Sequence, residues 1–425
     1  MKRLFVTIFK RTLDVLIVLY LIGIPVIAIT GGFKISVLGI SIKATHVYTP
    51  LQILMLLILM RLIITIEFKN FLLVLGSIFF GFLFMEIAVR IWDPPIANPR
   101  MTEIHRPSAV FGWELVPGSS GFGRLGEYYQ INSAGFRDTE HTIDKKAEIR
   151  RIVAIGDSFT FGMGVNLEET YPKQLQRILT GRGINSEVIN LGVIGHDMWQ
   201  YYEVLNRRAL AYQPDLVILG LWMGDDASES IAPYDESGRY TGPYPFRSYE
   251  EDQGASGVMS YLAIWNFLRH VNIQFEYKYR YRRGHTYLKG IEERKKKYGG
   301  GRPANAFYKA VSGNLERRKY SEFSVTLKEF VKTAHAADAK VLVVMIPDSV
   351  QLNEPELQFT NKFVAQITRE LGVPFIDTTP SLEAEEDHTS LYLFPFDAHN
   401  SRRGLRIIAK VIAEKIFELR LLRGA

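Results

Sequence analysis

Three residues far apart in the chain have the types and neighbours that acyl chemistry needs. Ser158 sits in Gly156-Asp157-Ser158-Phe159, and Asp397 and His399 sit in Phe394-Pro395-Phe396-Asp397-Ala398-His399-Asn400. A serine hydroxyl is a weak nucleophile until a neighbouring base takes its proton. Imidazole titrates in the right range to be that base. A carboxylate beside it fixes the tautomer and steadies the imidazolium. Ser158, His399 and Asp397 are therefore candidates for nucleophile, base and orienting carboxylate. Each also has an ordinary reading: Ser158 as a helix cap, and Asp397 with His399 as a turn leading into a helix.

The surrounding elements must bring these loops together. Ile152-Val153-Ala154-Ile155 is a short, largely β-branched apolar run, which reads as a buried parallel strand ending at Gly156. A serine at the following turn lies on the carboxyl edge of a sheet, where open α/β folds place ligands, with the free N–H groups of the next helix pointing at it. Five apolar runs, Arg151–Ile155, Glu187–Leu191, Leu216–Met223, Lys340–Ile346 and Val373–Ile376, alternate with helical patterns. This alternation predicts parallel strands in a three-layer α/β sandwich. Right-handed crossovers put the strand ends on one rim. That rim holds Ser158, Asn190-Leu191-Gly192-Val193-Ile194-Gly195-His196 and Trp222-Met223-Gly224-Asp225-Asp226. His196, Asp157 and Asp226 are candidate substrate contacts, and a hydrogen-bonded loop residue is the ordinary reading of His196.

The chain has 425 residues, enough for two or more units, and 47% are hydrophobic, with much of the excess in the first 90 or so. There are no cysteines, so disulfides, thiolate catalysis and Cys-ligated metal are excluded. No second cluster of His and carboxylate accompanies Asp397 and His399, so neither a metal nor a cofactor is expected. The formal net charge of +6 is mild and fits loops near lipid better than nucleic-acid binding.

Three apolar runs, about 12–30, 49–66 and 70–90, are each long enough to cross a bilayer. Lys2, Arg3, Lys10 and Arg11 precede the first, and Arg61 and Lys69 surround the second connection. The positive-inside rule then puts the amino terminus in the cytoplasm and everything after Trp92 outside it. Asp14, Arg61 and Glu86 lie toward the span ends and are expected to snorkel. Asp93-Pro94-Pro95 stops the third helix. A collar rich in Gly and Pro follows, read as short strands and turns packed on the next domain, with Arg137 expected in a structural ion pair.

Residues 228–337 form an insertion between the third and fourth strands. Its Phe275-Glu276-Tyr277-Lys278-Tyr279-Arg280-Tyr281-Arg282-Arg283 and Arg294-Lys295-Lys296-Lys297 read either as a lid toward an anionic glycan or lipid headgroups, or as a solvated face. An external location argues against RNA.

With these residues in order, the chain resembles the SGNH/GDSL hydrolase family. Gly156-Asp157-Ser158-Phe159 is similar to its first block, Asn190-Leu191-Gly192 to the second, Gly224-Asp225-Asp226 to the third and Asp397-Ala398-His399 to the last. The likeness covers about 150–227 and 338–420, and about 108–140 is similar to the lead-in of membrane-anchored members. It implies a three-layer α/β/α flavodoxin-like sandwich with five parallel strands. It also implies an acyl-enzyme on Ser158, and an oxyanion hole from the N–H groups of Ser158 and Gly192 with the residue at Asp225. Two departures stand out. Asn is usual where this chain has Asp225, and an ionised Asp cannot donate a hydrogen bond. Either Asp225 is held protonated, or another donor substitutes, or activity is weak. The family also often places Asp three residues before His, whereas Asp397 is two before His399.

The expectation is thus a multi-pass protein of the cytoplasmic membrane. Residues 1–92 are an anchor of three transmembrane helices, 93–149 a collar, and 150–425 a hydrolase domain on the extracytoplasmic side. Its substrate would be an acyl ester, preferably acetyl, on a surface polysaccharide, with no nucleic-acid partner. Acyl transfer to a sugar hydroxyl of an exported polysaccharide, or a weakly active binding or assembly role on the same fold, are the alternatives.

Overall fold

The computed structural model describes residues 2–30, 33–37, 40–44, 48–65, 68–92, 104–123, 125–223, 226, 241, 262–275, 306–393 and 397–422. Two compact units, Met1–Ile91 and Trp92–Ala425, make up the chain.

The first unit contains helices Lys2–Thr30 and Tyr48–Thr65 and most of Phe68–Trp92. An antiparallel hairpin of β1 (Phe33–Val37) and β2 (Ile40–Ala44) joins the first two. Three membrane crossings are expected from the sequence. Among the described residues one stretch, Leu72–Trp92, combines 21 residues with a mean hydropathy of 2.4, enough to cross a bilayer. Pro50–Arg61 is a shorter apolar helix. The first helix carries no charged residue after Asp14, and Arg61 is the one charged residue within the 18 residues of the second. The ionisable groups also pair with one another. Arg61 Nε meets Asp14 Oδ1 at 2.6 Å, and Arg90 Nε meets Glu86 Oε1 at 2.7 Å one turn away.

The second unit is built on a five-stranded parallel sheet of β7 (Arg150–Gly156), β8 (Ser186–Asn190), β9 (Leu216–Leu221), β10 (Lys340–Met345) and β11 (Phe375–Asp377). The spatial order is β11-β10-β9-β7-β8. The chain steps from β7 to β8 on one side and then returns to lay β9 on the other. This is the flavodoxin-like order, and its switch point opens a crevice at the carboxyl ends of β7 and β9.

Strand periodicity makes the layers. Ile152, Ala154, Val188, Ile218 and Val344 pack on one face with helices Tyr171–Gly181 and Arg402–Glu418. Val153, Ile155, Ile189, Leu219 and Val343 pack on the other with Met198–Val204, Arg317–Ala336 and Phe359–Glu370. Adjacent residues pointing to opposite faces therefore bury both sides of the sheet.

Before the sheet come two small hairpins, β3 (His105–Ser108) with β4 (Gly112–Leu115), and β5 (Ser120–Phe122) with β6 (Tyr128–Gln130). Their Trp113, Leu115, Tyr129 and Ile131 join the second core face. The insertion is shorter than 228–337, because Arg317–Ala336 buries Phe323, Leu327 and Phe330 against the sheet and is the ordinary crossover into β10. The Tyr/Arg run after Phe275 and the Arg294–Lys297 run lie outside the described residues.

Candidate active site

β7 ends at Gly156, and Asp157 starts a single helical turn, Ser158–Phe161, by accepting the Phe159 N–H on Oδ1 at 2.8 Å. Ser158 is the first residue of that turn, on the switch-point rim. Its backbone N–H has no acceptor among the described residues, as the first position of a helix leaves it. The side chain is partly exposed.

The second loop is shaped by its own backbone. Leu393 N–H donates to His399 C=O at 2.9 Å, Asp397 N–H to Leu393 C=O at 3.0 Å, and Tyr392 bridges Asn400 antiparallel. Ser401 then caps helix Arg402–Glu418 through its Oγ. This closed turn presents His399 to Ser158: His399 Nε2 stands 2.7 Å from Ser158 Oγ. On the ring's other side Nδ1 contacts Asp397 Oδ1, which also accepts the His399 backbone N–H at 3.0 Å. That double contact explains why a spacing of two suffices: the carboxylate folds back over its own turn and meets backbone and ring together. Nδ1 carries the proton toward the carboxylate, which leaves the Nε2 lone pair to accept the serine hydroxyl. Burial alone would raise the Asp397 pKa. The imidazolium charge of His399 and the hydrogen bonds from its ring and backbone outweigh it and hold the carboxyl at about 2. Asp397 therefore stays ionised wherever the protein would work.

A wall beside the imidazole was not singled out from the sequence. The Phe159 ring centre lies 4.6 Å from that of His399, and Trp222 stacks on Phe159 at 5.4 Å with 23° between planes. Only the position of Phe159, next to the nucleophile, hinted at it.

Four expected residues have other tasks. Gly192 N–H donates to Asn190 Oδ1 at 3.0 Å. Gly192 is there for close approach: a Cβ would collide with the Phe161 backbone nitrogen and stand 2.7 Å from Thr160 C. Asp157 is buried and caps the nucleophile turn. Asp226 is fully buried, accepting from Tyr201 Oη at 2.7 Å and Trp222 N–H at 2.9 Å. His196 is buried and donates Nε2–H to Trp113 C=O at 3.0 Å, and burial pushes its pKa down to about 3. It lines a cavity of about 170 Å³ with Phe111, Glu114 and Arg208, whose walls include neither Ser158 nor His399. Asp225 lies outside the described residues. Arg137, expected in an ion pair, bonds backbone carbonyls instead. Among the described residues no group of three or more His, Asp and Glu side chains is placed to hold a metal ion.

No family model matches the sequence, and no curated protein matches it. Among solved structures it is similar to TesA, at 12% identity over 64% of this chain and 99% of that one with a TM-score of 0.38. A lipase/acylhydrolase from Enterococcus faecalis is similar at 15% identity over 64% and 96%, with a TM-score of 0.37. Axe2, an acetylxylan esterase from Geobacillus stearothermophilus, is similar at 14% identity over 65% and 97%, with a TM-score of 0.36. Identity and TM-score are both low, so the chemistry of this chain is judged on its own residues.

Proposed function

We propose that the protein is a serine ester hydrolase working through an acyl-enzyme. One observation carries this reading: Ser158 Oγ, His399 Nε2 and, behind the ring, Asp397 Oδ1 lie in hydrogen-bond contact in that order. Ser158 attacks an acyl carbonyl as His399 takes its proton. His399 returns that proton to the leaving alcohol. Water then repeats the sequence on the acyl-enzyme. The Ser158 N–H, at the start of its helical turn, is one donor for the oxyanion. The preferred substrate is a small acyl ester, acetyl above all, on a surface polysaccharide.

In the same proposal the catalytic unit is anchored to the cytoplasmic membrane and works outside the cytoplasm. The apolar Leu72–Trp92 stretch supports an anchor, and Arg61 and Lys69 before it support a cytoplasmic amino-terminal side.

Rates on acetyl, butyryl and long-acyl p-nitrophenyl esters, with and without an added glycan, test the chemistry. Preference for acetyl and release of free acid support hydrolysis of a small ester. Acyl transfer to the glycan would replace water with sugar as the acceptor, and absence of turnover on every ester would defeat the proposal. Because the chain has no cysteine, Ala147→Cys gives a single thiol at an exposed position. Its labelling by a membrane-impermeant maleimide in cells with an intact cytoplasmic membrane supports the external location. Labelling only after lysis contradicts it.

A further inference from the structure

The collar reaches the nucleophile turn through Arg137 and Tyr129. Arg137 is 1% exposed. Its Nη1 donates to Phe161 C=O at 3.0 Å and Gly162 C=O at 2.6 Å, and its Nη2 donates to Val165 C=O at 2.6 Å. The guanidinium carbon lies 4.3 Å from the Tyr129 ring centre and 5.0 Å from that of Phe161. Tyr129 Oη accepts the Gly164 N–H at 3.0 Å and donates to Glu127 Oε1. Both terminal nitrogens of the Arg137 guanidinium therefore end on carbonyls of 161–165, and Tyr129 takes an N–H of the same segment.

That segment needs an outside support. A helix of four residues, Ser158–Phe161, has almost no intrinsic stability. Gly162 ends it at φ 82°, a left-handed conformation, and its C=O accepts the Val165 N–H at a long 3.3 Å, leaving room for a further donor. A cation is the favourable partner at such an end. Arg137 supplies one, with a planar fork that reaches several oxygens at once.

The same segment also touches the loop that carries the base. Gly164 packs against Leu393 so closely that a Cβ would collide with Leu393 Cδ1. Leu393 in turn donates to His399 C=O at 2.9 Å and accepts from Asp397 N–H at 3.0 Å. Residues 162–165 thus follow directly on the turn that carries Ser158 and pack on the loop that carries Asp397 and His399.

We propose that Arg137 is the positioning residue of the candidate site, clamping Phe161–Val165 so that the Ser158 hydroxyl and the His399 ring are held in register. The proposal rests on the serine-hydrolase reading, and its test separates the two.

The full chain in detergent is compared as wild type, Arg137→Lys and Tyr129→Phe. The readouts are fluorophosphonate labelling rate, kcat and KM on p-nitrophenyl acetate, and hydrogen exchange of peptides spanning 158–165. Lysine keeps the charge but not the fork, and Tyr129→Phe removes the acceptor of Gly164 N–H while leaving the ring. For each folded variant the expected result is a fall of about tenfold to a hundredfold in labelling rate and kcat, with KM within about threefold. Faster exchange confined to 158–165 should accompany it. If Arg137→Lys does not fold, Tyr129→Phe decides on the same criteria. Wild-type rates and unchanged exchange in a folded variant overturn the clamp. If the wild type itself is not labelled, the hydrolase reading fails. The exchange result alone then decides whether Arg137 holds the segment: faster exchange at 158–165 supports it, and unchanged exchange overturns it.

Discussion

His399 Nε2 lies 2.7 Å from Ser158 Oγ across 241 positions of sequence. Two supports make this possible: the carboxyl end of β7, and a turn closed on itself ahead of helix Arg402–Glu418. Neither residue does more than cap or turn the chain when taken alone. Together they form a proton path.

Asp397→Asn should leave the fold intact and lower kcat by about 10²–10⁴-fold, because an amide no longer fixes the imidazole tautomer or balances its charge. The sign of the linked pH effect follows from a lowered carboxyl pKa. Unfolded, the group titrates near 3.8; folded, at about 2. Its stabilisation is full above about pH 4 and is lost as pH falls toward 2. Melting temperatures between those limits should converge for wild type and Asp397→Asn, and Asp397 should add no limb to the pH–rate profile at neutral pH.

Much of this site can be read along the chain, for a physical reason. Each catalytic candidate sits beside a local signal: Ser158 after an apolar β-branched run, and Asp397 with His399 before an amphipathic helix. Parallel strands follow from the same alternation, whereas their spatial order does not. What stays hidden depends on contacts between segments. Gly192 reads as an oxyanion donor because nothing in Asn190-Leu191-Gly192 announces that the Asn190 side chain takes its N–H. Arg137 reads as half of an ion pair because its three carbonyls belong to residues 24–28 positions on.

Gly192→Ala should be far more costly than a loss of chain flexibility. The new Cβ meets Phe161 N and Thr160 C, both backbone atoms of the nucleophile turn. Overpacking of this kind costs about 1–3 kcal/mol. A clear drop in melting temperature together with slower fluorophosphonate labelling is expected. A variant as stable and reactive as wild type would mean that the turn does not press on the second strand end.

Two histidines should move stability in opposite directions with pH. His141 lies between Asp138 Oδ2 (3.1 Å) and Glu187 Oε1 (2.6 Å). Burial lowers its pKa, but the two carboxylates more than offset this and raise it above the usual 6.5. Its stabilisation is therefore full below pH 6.5 and is lost as pH rises through the raised value. His196 is buried neutral, with a pKa of about 3 against 6.5 unfolded, so its environment destabilises the fold as pH drops from 6.5 toward 3. Melting temperature against pH should lose its alkaline slope in His141→Gln and part of its acid slope in His196→Asn. Identical profiles in all three proteins would contradict both assignments.

Intact-mass analysis after fluorophosphonate treatment probes the central claim most directly. Wild type should gain one adduct, mapped by peptide digestion to Ser158. Ser158→Ala should gain none, and His399→Ala should react at least about 10²-fold more slowly. A wild type that stays unmodified, or a Ser158→Ala variant that is labelled as fast as wild type, would contradict a nucleophilic Ser158.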